Sequence, residues 1–379
     1  MAEPLLYASP HLYSDRSIKL FGQTLSKRPE LAQRVRVLLM PSTSVTRRYE
    51  HAVPTLRGLR IIPWALPNLR ASNGALFASI SPGKELRLLR PPSSLVSLRL
   101  TCLTCSSVQN GDKQVLDGDF IHSLPRLERL HLCGCIVGKP HVAPPADALP
   151  LLRTLHLEQG KGMNRAFQWL SRMQLPAFDS FVLSMYNPTT WEQPHESDAA
   201  VDSLPRFLIK HGHKFTSIKI GGERNPLEWK IPLLDLCPNV EMLEISSTCR
   251  PGPTSEEHHP WRSMPLQPEM LRCTRPHRHL ELLAITASDV FDTSFQSKHP
   301  NRGSREWEKL LLDEINLTPF VALEELELPY NVYWPESDTS AKENPWPGMI
   351  AILKQRNPMM TITRGGMVWA RAVTQQTEE

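Results

Sequence analysis

Apolar residues recur along this chain in the spacing L-x-x-L-x-L, with polar or small residues between them. The pattern is most complete as Leu-Pro-x-Leu-x-x-Leu-x-Leu at 124–132 and again at 149–157. An alternation of apolar and polar positions with a period of two predicts a short β-strand with one buried face. We predict ten such repeats, which begin at Val35, Leu56, Leu95, Leu127, Leu152, Phe178, Phe215, Val240, Leu280 and Leu323.

Proline gives a second and independent mark of the repeat. Five of the ten repeats have a proline two residues before their first apolar position, at Pro54, Pro125, Pro150, Pro176 and Pro238. With 35 prolines in 379 residues, chance would place about one there. Because proline has no N–H and a fixed φ, it ends a preceding helix and starts a strand outside the hydrogen-bonded ladder. The proline-containing opening of a repeat therefore predicts the end of a helix, then a turn, and then a strand.

The spacing of the repeats predicts the fold class. Successive repeats begin 21 to 43 residues apart, whereas regular leucine-rich repeats are roughly 20 to 29 residues long, so several must carry inserted loops or helices. We predict an α/β fold, an irregular leucine-rich-repeat solenoid with a parallel concave sheet and with helices and loops on the convex side. It would comprise an N-terminal helical cap at 1–34, the solenoid at 35–333, and a C-terminal cap with a polar tail at 334–379.

Helical spacing of apolar residues recurs between the predicted strands. Ser14 is a suitable N-cap for a helix that runs to about Lys27, and we expect this helix to cover the open edge of the first repeat. Further helices are predicted at 164–173, 198–210, 304–314 and 347–356. A last short strand is predicted at 359–363. Residues 247–278 and 286–303 are rich in polar residues without a period, which predicts long loops.

Composition limits the classes of function. The net charge is only +4 with interspersed signs, which predicts no basic patch large enough for nucleic acid. The seven cysteines are an odd number without small-domain spacing, and no basic-then-apolar leader opens the chain, so we expect a cytoplasmic or nuclear protein. No apolar run approaches the roughly 20 residues of a membrane span. We therefore expect a protein partner, and neither nucleic acid nor a membrane.

Signatures of catalysis and of bound cofactors are missing from the sequence. It contains no G-x-S-x-G, no H-E-x-x-H and no dinucleotide-binding glycine run. Two clusters offer metal-ligating residue types: Cys102, Cys105, Cys133 and Cys135, and in the long loop His258, His259, Cys273, His277 and His279. Ordinary buried thiols explain the first cluster equally, and the second lacks rigid support. We expect no enzyme activity, no cofactor and no metal site.

Candidate binding residues follow from the period of two along each strand. The middle positions of the repeat should point to the concave face, which solenoids commonly use for binding. These candidates are Arg60, Arg99, Arg129, His131, His156, Glu158, Lys219, Glu244, Glu325 and Glu327. The early repeats are basic and the late ones acidic, a gradient that suits an extended partner segment with patterned charge. Alternatively, these side chains are solvated surface charges without a partner.

The opening of the chain resembles the start of the repeat region in fungal F-box proteins. The resemblance is carried by the Leu-Pro phrases and by the stretches 2–7, 14–21, 28–32 and 35–38. It implies the substrate-recognition half of a receptor for a cullin-based ubiquitin ligase, in which an F-box holds the adaptor and the repeats hold the target. No F-box precedes Ala2 in this sequence, so we expect a ligase adaptor to bind only if an F-box is supplied upstream.

Three hypotheses of function remain open. The first is an intracellular, non-catalytic binding protein similar to that recognition half. The second is a repeat-only scaffold or assembly protein unrelated to ubiquitin transfer, and an in-frame F-box upstream would count against it. The third is a metal-dependent enzyme that uses the cysteine or histidine cluster, and a stoichiometric metal ion in the purified protein would favour it.

Overall fold

The computed structural model describes residues 7–12, 14–39, 66–77, 93–102, 115–116, 124–133, 136–137, 145–158, 163–185, 198–222, 232–247, 268–287, 309–328, 346–364 and 367–368. The chain forms two compact units. The first unit comprises Met1–Phe181 and Gln193–His211, and the second comprises Val182–Glu192 and Gly212–Glu379. The boundary between them falls within one β-strand, after Phe181.

Parallel strands form the sheet of the first unit. In the order of neighbours they are β1 (Val37–Leu39), β2 (Ala71–Phe77), β3 (Ser97–Cys102), β5 (Arg129–Cys133), β7 (Thr154–Glu158) and the first residues of β8 (Ser180–Met185). Two short strands, β4 (Val115–Leu116) and β6 (Ile136–Val137), form a separate parallel pair.

The second unit also consists largely of neighbouring parallel strands. Its strands are the rest of β8, then β9 (Ser217–Gly222), β10 (Met242–Ser247), β11 (Leu282–Ala287), β12 (Glu325–Leu328), β13 (Thr361–Arg364) and β14 (Met367–Val368). Strand β14 is antiparallel to β13, whereas β9 to β13 pair in parallel. A strand follows nine of the ten predicted repeat starts, and the repeat predicted at Leu56 lies outside the described residues. The predicted α/β repeat fold with a parallel sheet is confirmed.

The Leu-Pro-x-Leu motif that opens a repeat folds as a turn, and the strand follows this turn. The N–H of Leu127 donates to the carbonyl oxygen of Leu124 at 3.1 Å, so Pro125 stands at the second turn position, where its fixed φ is suitable. The same bond recurs from Leu69 to Leu66, from Leu152 to Leu149, from Phe178 to Leu175 and from Val240 to Cys237. The predicted succession of turn and strand is therefore present in these repeats.

Two of these turns begin with a strained leucine. Leu149 and Leu175 have φ of 56° and 45°, in the left-handed region that normally favours glycine. This conformation costs a side chain about 1–2 kcal/mol, whereas full burial of a leucine contributes about 1.5–3 kcal/mol. Both leucines are at most 1% exposed. Burial thus outweighs the backbone strain and explains why leucine rather than glycine stands here.

A recurring pair of hydrogen bonds sets the register between neighbouring repeats. The carbonyl oxygen of Glu128 accepts from the N–H groups of Arg153 at 2.8 Å and Thr154 at 3.0 Å, just where β7 begins. The carbonyl oxygen of Glu281 accepts in the same way from Glu324 and Glu325, both at 2.9 Å. Because a slip of one residue would turn every side chain to the other face, this register keeps the leucines together beneath the sheet.

The N-terminal helix forms as predicted, but it is not what pairs with the edge of the sheet. Helix α1 (Asp15–Lys27) is capped by Ser14, whose side-chain oxygen accepts from the N–H of Ser17 at 3.2 Å. The edge of β1 is instead paired by the preceding segment, since the N–H of Leu12 donates to the carbonyl oxygen of Leu39 at 2.9 Å. A strand edge needs backbone donors and acceptors, which the backbone of a helix has already used.

Most of the other predicted helices are present. They are α2 (Met163–Leu170), α3 (Asp198–His211) and α5 (Trp346–Arg356), and a short additional helix, α4 (Leu233–Leu236), was not predicted. The helix predicted at 304–314 is a π-helical turn at Lys309–Glu314, and its first residues lie outside the described part of the chain. The loop predicted at 247–278 contains ordered structure at its end, because Pro268–Leu271 forms a 3-10 turn.

Strand β2 belongs to a repeat that the apolar pattern does not reveal. Ser72 and Gly74 stand where the repeat normally has apolar residues, although Leu66 and Leu69 carry the usual Leu-Pro-x-Leu opening. Ser72 lies in register between Leu38 and Leu98 and is 3% exposed. Its hydroxyl has no hydrogen-bond partner in the described part of the protein. The core of the first unit therefore contains a buried polar group that costs stability.

Replacing Ser72 with alanine is expected to stabilise the protein by about 1 kcal/mol, because the change removes an unsatisfied buried hydroxyl and leaves only a small void. Urea unfolding of the intact chain at neutral pH measures the effect. Ser97→Ala is the matched control, since Ser97 is partly exposed on the next strand and its replacement should change stability by less than about 0.5 kcal/mol. A loss of stability in Ser72→Ala would show that the hydroxyl has a partner after all.

A buried histidine joins three segments of the second unit. The Nδ1 atom of His277 accepts from the N–H of Leu280 at 3.1 Å, so its Nε2 carries the proton and donates to the carbonyl oxygen of Cys237 at 3.2 Å. Its backbone N–H donates to the carbonyl oxygen of Pro319 at 2.8 Å. The ring therefore uses both nitrogens in its neutral form, and protonation would remove the acceptor for Leu280.

We expect His277 to make the second unit less stable in acid. Burial lowers the pKa of His277 below its ordinary value of 6.5, and the nearby His279 lowers it further, while the Cys237 carbonyl and Asp235 act in the opposite direction. Because the pKa in the folded chain is lower than in the unfolded chain, the contribution of His277 is complete above about pH 6.5 and is lost as the pH falls below that value.

Urea unfolding at pH 7.5, 6.5 and 5.5 tests this expectation. His277→Gln keeps a donor and an acceptor but does not titrate, so its stability should fall less between pH 7.5 and 5.5 than that of the unmodified chain. His213→Gln, at an exposed position of the same unit, should retain the original pH dependence. Equal pH profiles for His277→Gln and the unmodified chain would contradict the role assigned to His277.

Candidate functional site

Alternate residues of the first unit's strands form two rows on the face of the sheet opposite the leucines. One row runs through Ala71, Ser97, Arg129 and Thr154, and the next through Asn73, Arg99, His131 and His156. We call these eight positions the first-unit face. Arg129 is exposed, and Arg99, His131 and His156 are partly exposed, whereas the intervening leucines are buried. The strand period therefore places four of the predicted binding residues side by side.

The two histidines of this face stack on each other. The ring centroids of His131 and His156 lie 3.7 Å apart, and the ring planes differ by 14°. The two residues are in register on neighbouring strands, which lie about 4.8 Å apart, so the stack follows directly from the strand pairing. Each ring limits the rotation of the other. The stack therefore restricts the orientation of both imidazole rings.

Arginines flank the histidine stack on two sides. Arg99 is in register with His131 on the neighbouring strand, and Arg129 lies two residues before His131 on the same strand. The eight positions of the first-unit face contain no acidic residue. Glu158 ends β7, where its backbone is in register with Cys133, beyond these two rows. Arg60, the remaining basic candidate of the early repeats, lies outside the described residues.

The second unit has a corresponding face with the opposite charge. Its rows run through Ser217, Met242, Leu282, Glu325 and Thr361, and through Lys219, Glu244, Ala284, Glu327 and Thr363. We call these ten positions the second-unit face. All four predicted binding residues of this unit lie in it. It carries three carboxylates and one ammonium group, so its balance is acidic.

The basic group of the second-unit face is already bound to an acidic neighbour. The Nζ atom of Lys219 lies 2.5 Å from Oε1 of Glu244, on the adjacent strand and in register. The hydroxyl of Thr286 donates to the same carboxylate oxygen at 3.2 Å. Both side chains are partly exposed, so solvent screening reduces the value of this ion pair. It nevertheless orients Glu244 across the sheet.

The remaining two carboxylates of this face lie close to each other. The hydroxyl of Thr363 donates to Oε1 of Glu325 at 2.6 Å. Burial raises the pKa of Glu327, and the neighbouring carboxylates of Glu325 and Glu244 raise it further. The face thus has more negative charge than its own residues neutralise, and a cationic group placed there would lower the pKa of Glu327 again.

Sequence reasoning missed three residues that contribute to these faces. The backbone of Asn73 on strand β2 is in register with Arg99, and the Leu-Pro-x-Leu opening at 66–69 could have indicated that repeat. Thr286 and Thr363 hold the carboxylates of Glu244 and Glu325. No pattern in the sequence identifies these two contacts, because they depend on which strands are neighbours and on their register.

Two free cysteines, Cys237 and Cys273, lie in the described part of the protein. Burial raises the pKa of the Cys237 thiol to about 12, and burial together with Asp235 raises that of Cys273 to about 11. Since the thiolate is the nucleophile and the metal ligand, neither thiol is activated near neutral pH. Among the described residues no group of three or more histidine, cysteine or acidic side chains could hold a metal ion. The side chains of Cys102, Cys105, Cys133, Cys135, His258 and His259 lie outside the description.

Comparisons with known proteins leave the function open. No family model matches the chain, and no curated protein matches it. The solved structures that match include the crystal structure of a Bacteroides fragilis protein, a structural genomics target, with 11% sequence identity and a TM-score of 0.37. The match covers 92% of this chain and 71% of the other, and a likeness of this size says nothing about activity. In the part of the chain with described structure, no helix is long and apolar enough to cross a membrane.

Proposed function

We propose that this chain is a non-catalytic protein-binding module whose partner docks on the face of the parallel strands that lies opposite the buried leucines. The observation that supports this proposal is the in-register row of Arg99, His131 and His156, which stays accessible above a core of buried leucines. Strand pairing holds these side chains at fixed spacing before a partner arrives. Such preorganisation reduces the entropy lost on binding.

More specifically, we propose that this binding module is the substrate-recognition part of an F-box ubiquitin-ligase receptor in the cytoplasm or nucleus. Its support is the resemblance of 14–21 and 35–38 to the start of the repeat region in fungal F-box proteins, together with the repeat itself. In this proposal the repeats hold the target, and a ligase adaptor joins only through an F-box upstream of this chain.

Affinity capture from a cell extract, with the intact chain as bait, tests the binding role. The variant Arg99→Glu/Arg129→Glu reverses two charges on the first-unit face and should reduce recovery of the dominant partner about tenfold or more. Arg126→Glu/Arg172→Glu makes the same change in charge at exposed positions outside the strands and should recover the partner normally. Thermal melting must show that both variants are folded. Unaltered capture by the face variant would contradict the proposal.

The composition of the captured material separates the remaining hypotheses. A cullin-ligase adaptor recovered with a target, when an F-box is present upstream, supports the receptor role. A partner recovered without any adaptor supports the alternative of a repeat-only scaffold. Elemental analysis of the purified chain addresses the metal-dependent enzyme, for which one equivalent of tightly bound metal would be required; we expect only trace amounts.

A further inference from the structure

We propose that the second-unit face binds a cationic segment of a partner protein, in which arginine or lysine residues lie two positions from an apolar residue. This inference rests on the proposed function and names the chemistry of one part of the partner. Its basis is the composition of the face, whose two in-register rows combine three glutamates and one lysine with the apolar side chains of Met242 and Leu282. Complementarity favours a segment that brings positive charge and an apolar group together.

Apolar side chains occupy the middle of this face. Met242 and Leu282 are in register on the neighbouring strands β10 and β11, which lie about 4.8 Å apart. Met242 is 37% exposed and Leu282 is partly exposed, whereas Leu243 and Leu283, the next residues on the two strands, are buried. The accessible parts of Met242 and Leu282 thus form a small apolar surface that an apolar side chain of a partner can cover.

Carboxylates border this apolar surface. Glu325 is in register with Leu282 on the next strand, and Glu327 follows two residues later, about 6.6 Å along β12. Glu244 lies two residues after Met242 on β10. An extended peptide points alternate side chains to one side at about the same 6.6 Å separation. A segment with its apolar residue over Leu282 therefore brings a cation two positions away within reach of a carboxylate.

The negative charge of the face is only partly neutralised by the described residues. Lys219 contacts Glu244 at 2.5 Å, but no ion pair to Glu325 or Glu327 is present in the described part of the chain. Burial raises the pKa of Glu327, and the carboxylates of Glu325 and Glu244 raise it further. One more cationic residue of these strands, Arg364, has its backbone in register with Leu328, outside the two rows. A bound guanidinium or ammonium group would relieve the crowding of like charge.

The preference for positive charge is specific to this face. The whole chain has a net charge of +4, which by itself would repel a cationic segment. The first-unit face carries Arg99 and Arg129, so a cationic segment placed there would meet like charge. Exposed residues of both signs, such as Arg278 and Glu281, lie before β11. Binding of a cationic segment is therefore expected of the second-unit face and of no average property of the chain.

Fluorescence anisotropy with a labelled peptide and the intact chain tests the inference. The probe has three Arg-Ser-Leu-Ser repeats, and its control carries citrulline, an uncharged analogue, in place of arginine. In about 0.1 M salt the arginine peptide should bind at least about tenfold more tightly than the citrulline peptide, and the difference should shrink as salt is added. A second control with serine in place of leucine should bind about threefold more weakly than the probe.

Charge variants of the chain identify the surface that the probe uses. Glu325→Gln/Glu327→Gln should weaken binding of the probe about tenfold. Asp147→Asn/Asp313→Asn removes the same charge at exposed positions outside the strands and should change binding by less than about twofold. Lys219→Gln removes the cation that competes for Glu244 and should tighten binding about threefold. Thermal melting must show that each variant is folded.

A pair of apolar variants tests the other half of the inference. Met242→Gln should weaken binding of the probe about threefold, because it replaces the accessible apolar side chain by a polar one of similar length. Val321→Gln is the matched control, since Val321 is 67% exposed in the turn before β12 and its replacement should change binding by less than about twofold.

Several outcomes would overturn the inference. They are equal binding of the arginine and citrulline peptides, equal effects of the two pairs of acidic variants, weaker binding by Lys219→Gln, and equal effects of Met242→Gln and Val321→Gln. If the probe does not bind but Arg99→Glu/Arg129→Glu still abolishes partner capture, the inference fails and the proposed function stands. If neither assay responds, the proposed function fails as well.

Discussion

Leu130→Asp is expected to abolish soluble expression of the folded chain. Leu130 is 1% exposed and lies in register between Leu98 and Leu155, so an aspartate there would bury a carboxylate among leucines without a partner. Truncation of such a leucine to alanine already costs about 2–5 kcal/mol, and an unpaired buried charge costs several more. Because a domain is typically stable by only about 5–15 kcal/mol, the substitution should leave no folded population to recover.

The neighbouring residue on the same strand provides the control for this prediction. Arg129 is exposed on the opposite face, so Arg129→Asp should yield soluble protein with nearly unchanged melting. Soluble expression and a circular dichroism melt measure both variants, and Leu130→Ala gives the graded case. A folded Leu130→Asp with an unchanged melting profile would refute the assignment of the leucines to the core.

Phe207→Ala is expected to lower the free energy of unfolding by about 3–5 kcal/mol. Phe207 of α3 is 0% exposed and lies among other aromatic rings of the first unit. Its ring centroid is 5.3 Å from that of Phe167 on α2, 5.3 Å from that of Phe181 on β8, and 6.0 Å from that of Phe178. Alanine would lose these contacts and leave a cavity between the helices and the sheet of this unit.

Urea unfolding of the intact chain, followed by circular dichroism, measures this loss. Ile209→Ala on the same helix is the matched control, because Ile209 is 67% exposed and its truncation should cost less than about 0.5 kcal/mol. Phe207→Leu, which keeps most of the buried volume, should fall between the two. Similar effects of Phe207→Ala and Ile209→Ala would show that the aromatic cluster does not hold the helices to the sheet.

Local patterns were sufficient to predict most strands of the fold. The Leu-Pro-x-Leu opening encodes a turn through the fixed φ of proline, and the alternation after it encodes a strand, so repeats such as the one at Leu152 can be found without knowledge of their neighbours. Helix α1 was predictable for the same reason, since Ser14 caps it through a bond to Ser17. In each case the information lies within about ten consecutive residues.

Strand β2 shows where this reasoning fails. With Ser72 and Gly74 at the inward positions, the segment has no apolar alternation, and its own preference for a strand is weak. It is a strand because β1 and β3 offer backbone partners on both sides. The pairing of the edge of β1 with the segment 8–12 has the same origin. Both features depend on hydrogen bonds to distant segments, which no local window contains.

The two candidate faces were likewise predictable in part: the direction of their side chains was, but the contacts between those side chains were not. The alternation along single strands was enough to tell that Arg99, His131 and Glu244 point away from the leucines, because that alternation belongs to each strand alone. The stack of His131 on His156 and the bond from Lys219 to Glu244 could be known only from the tertiary structure. Both contacts require a particular order and register of neighbouring strands. Side-chain direction is a local property of an extended backbone, whereas contact between side chains about 25 residues apart depends on which backbones pair.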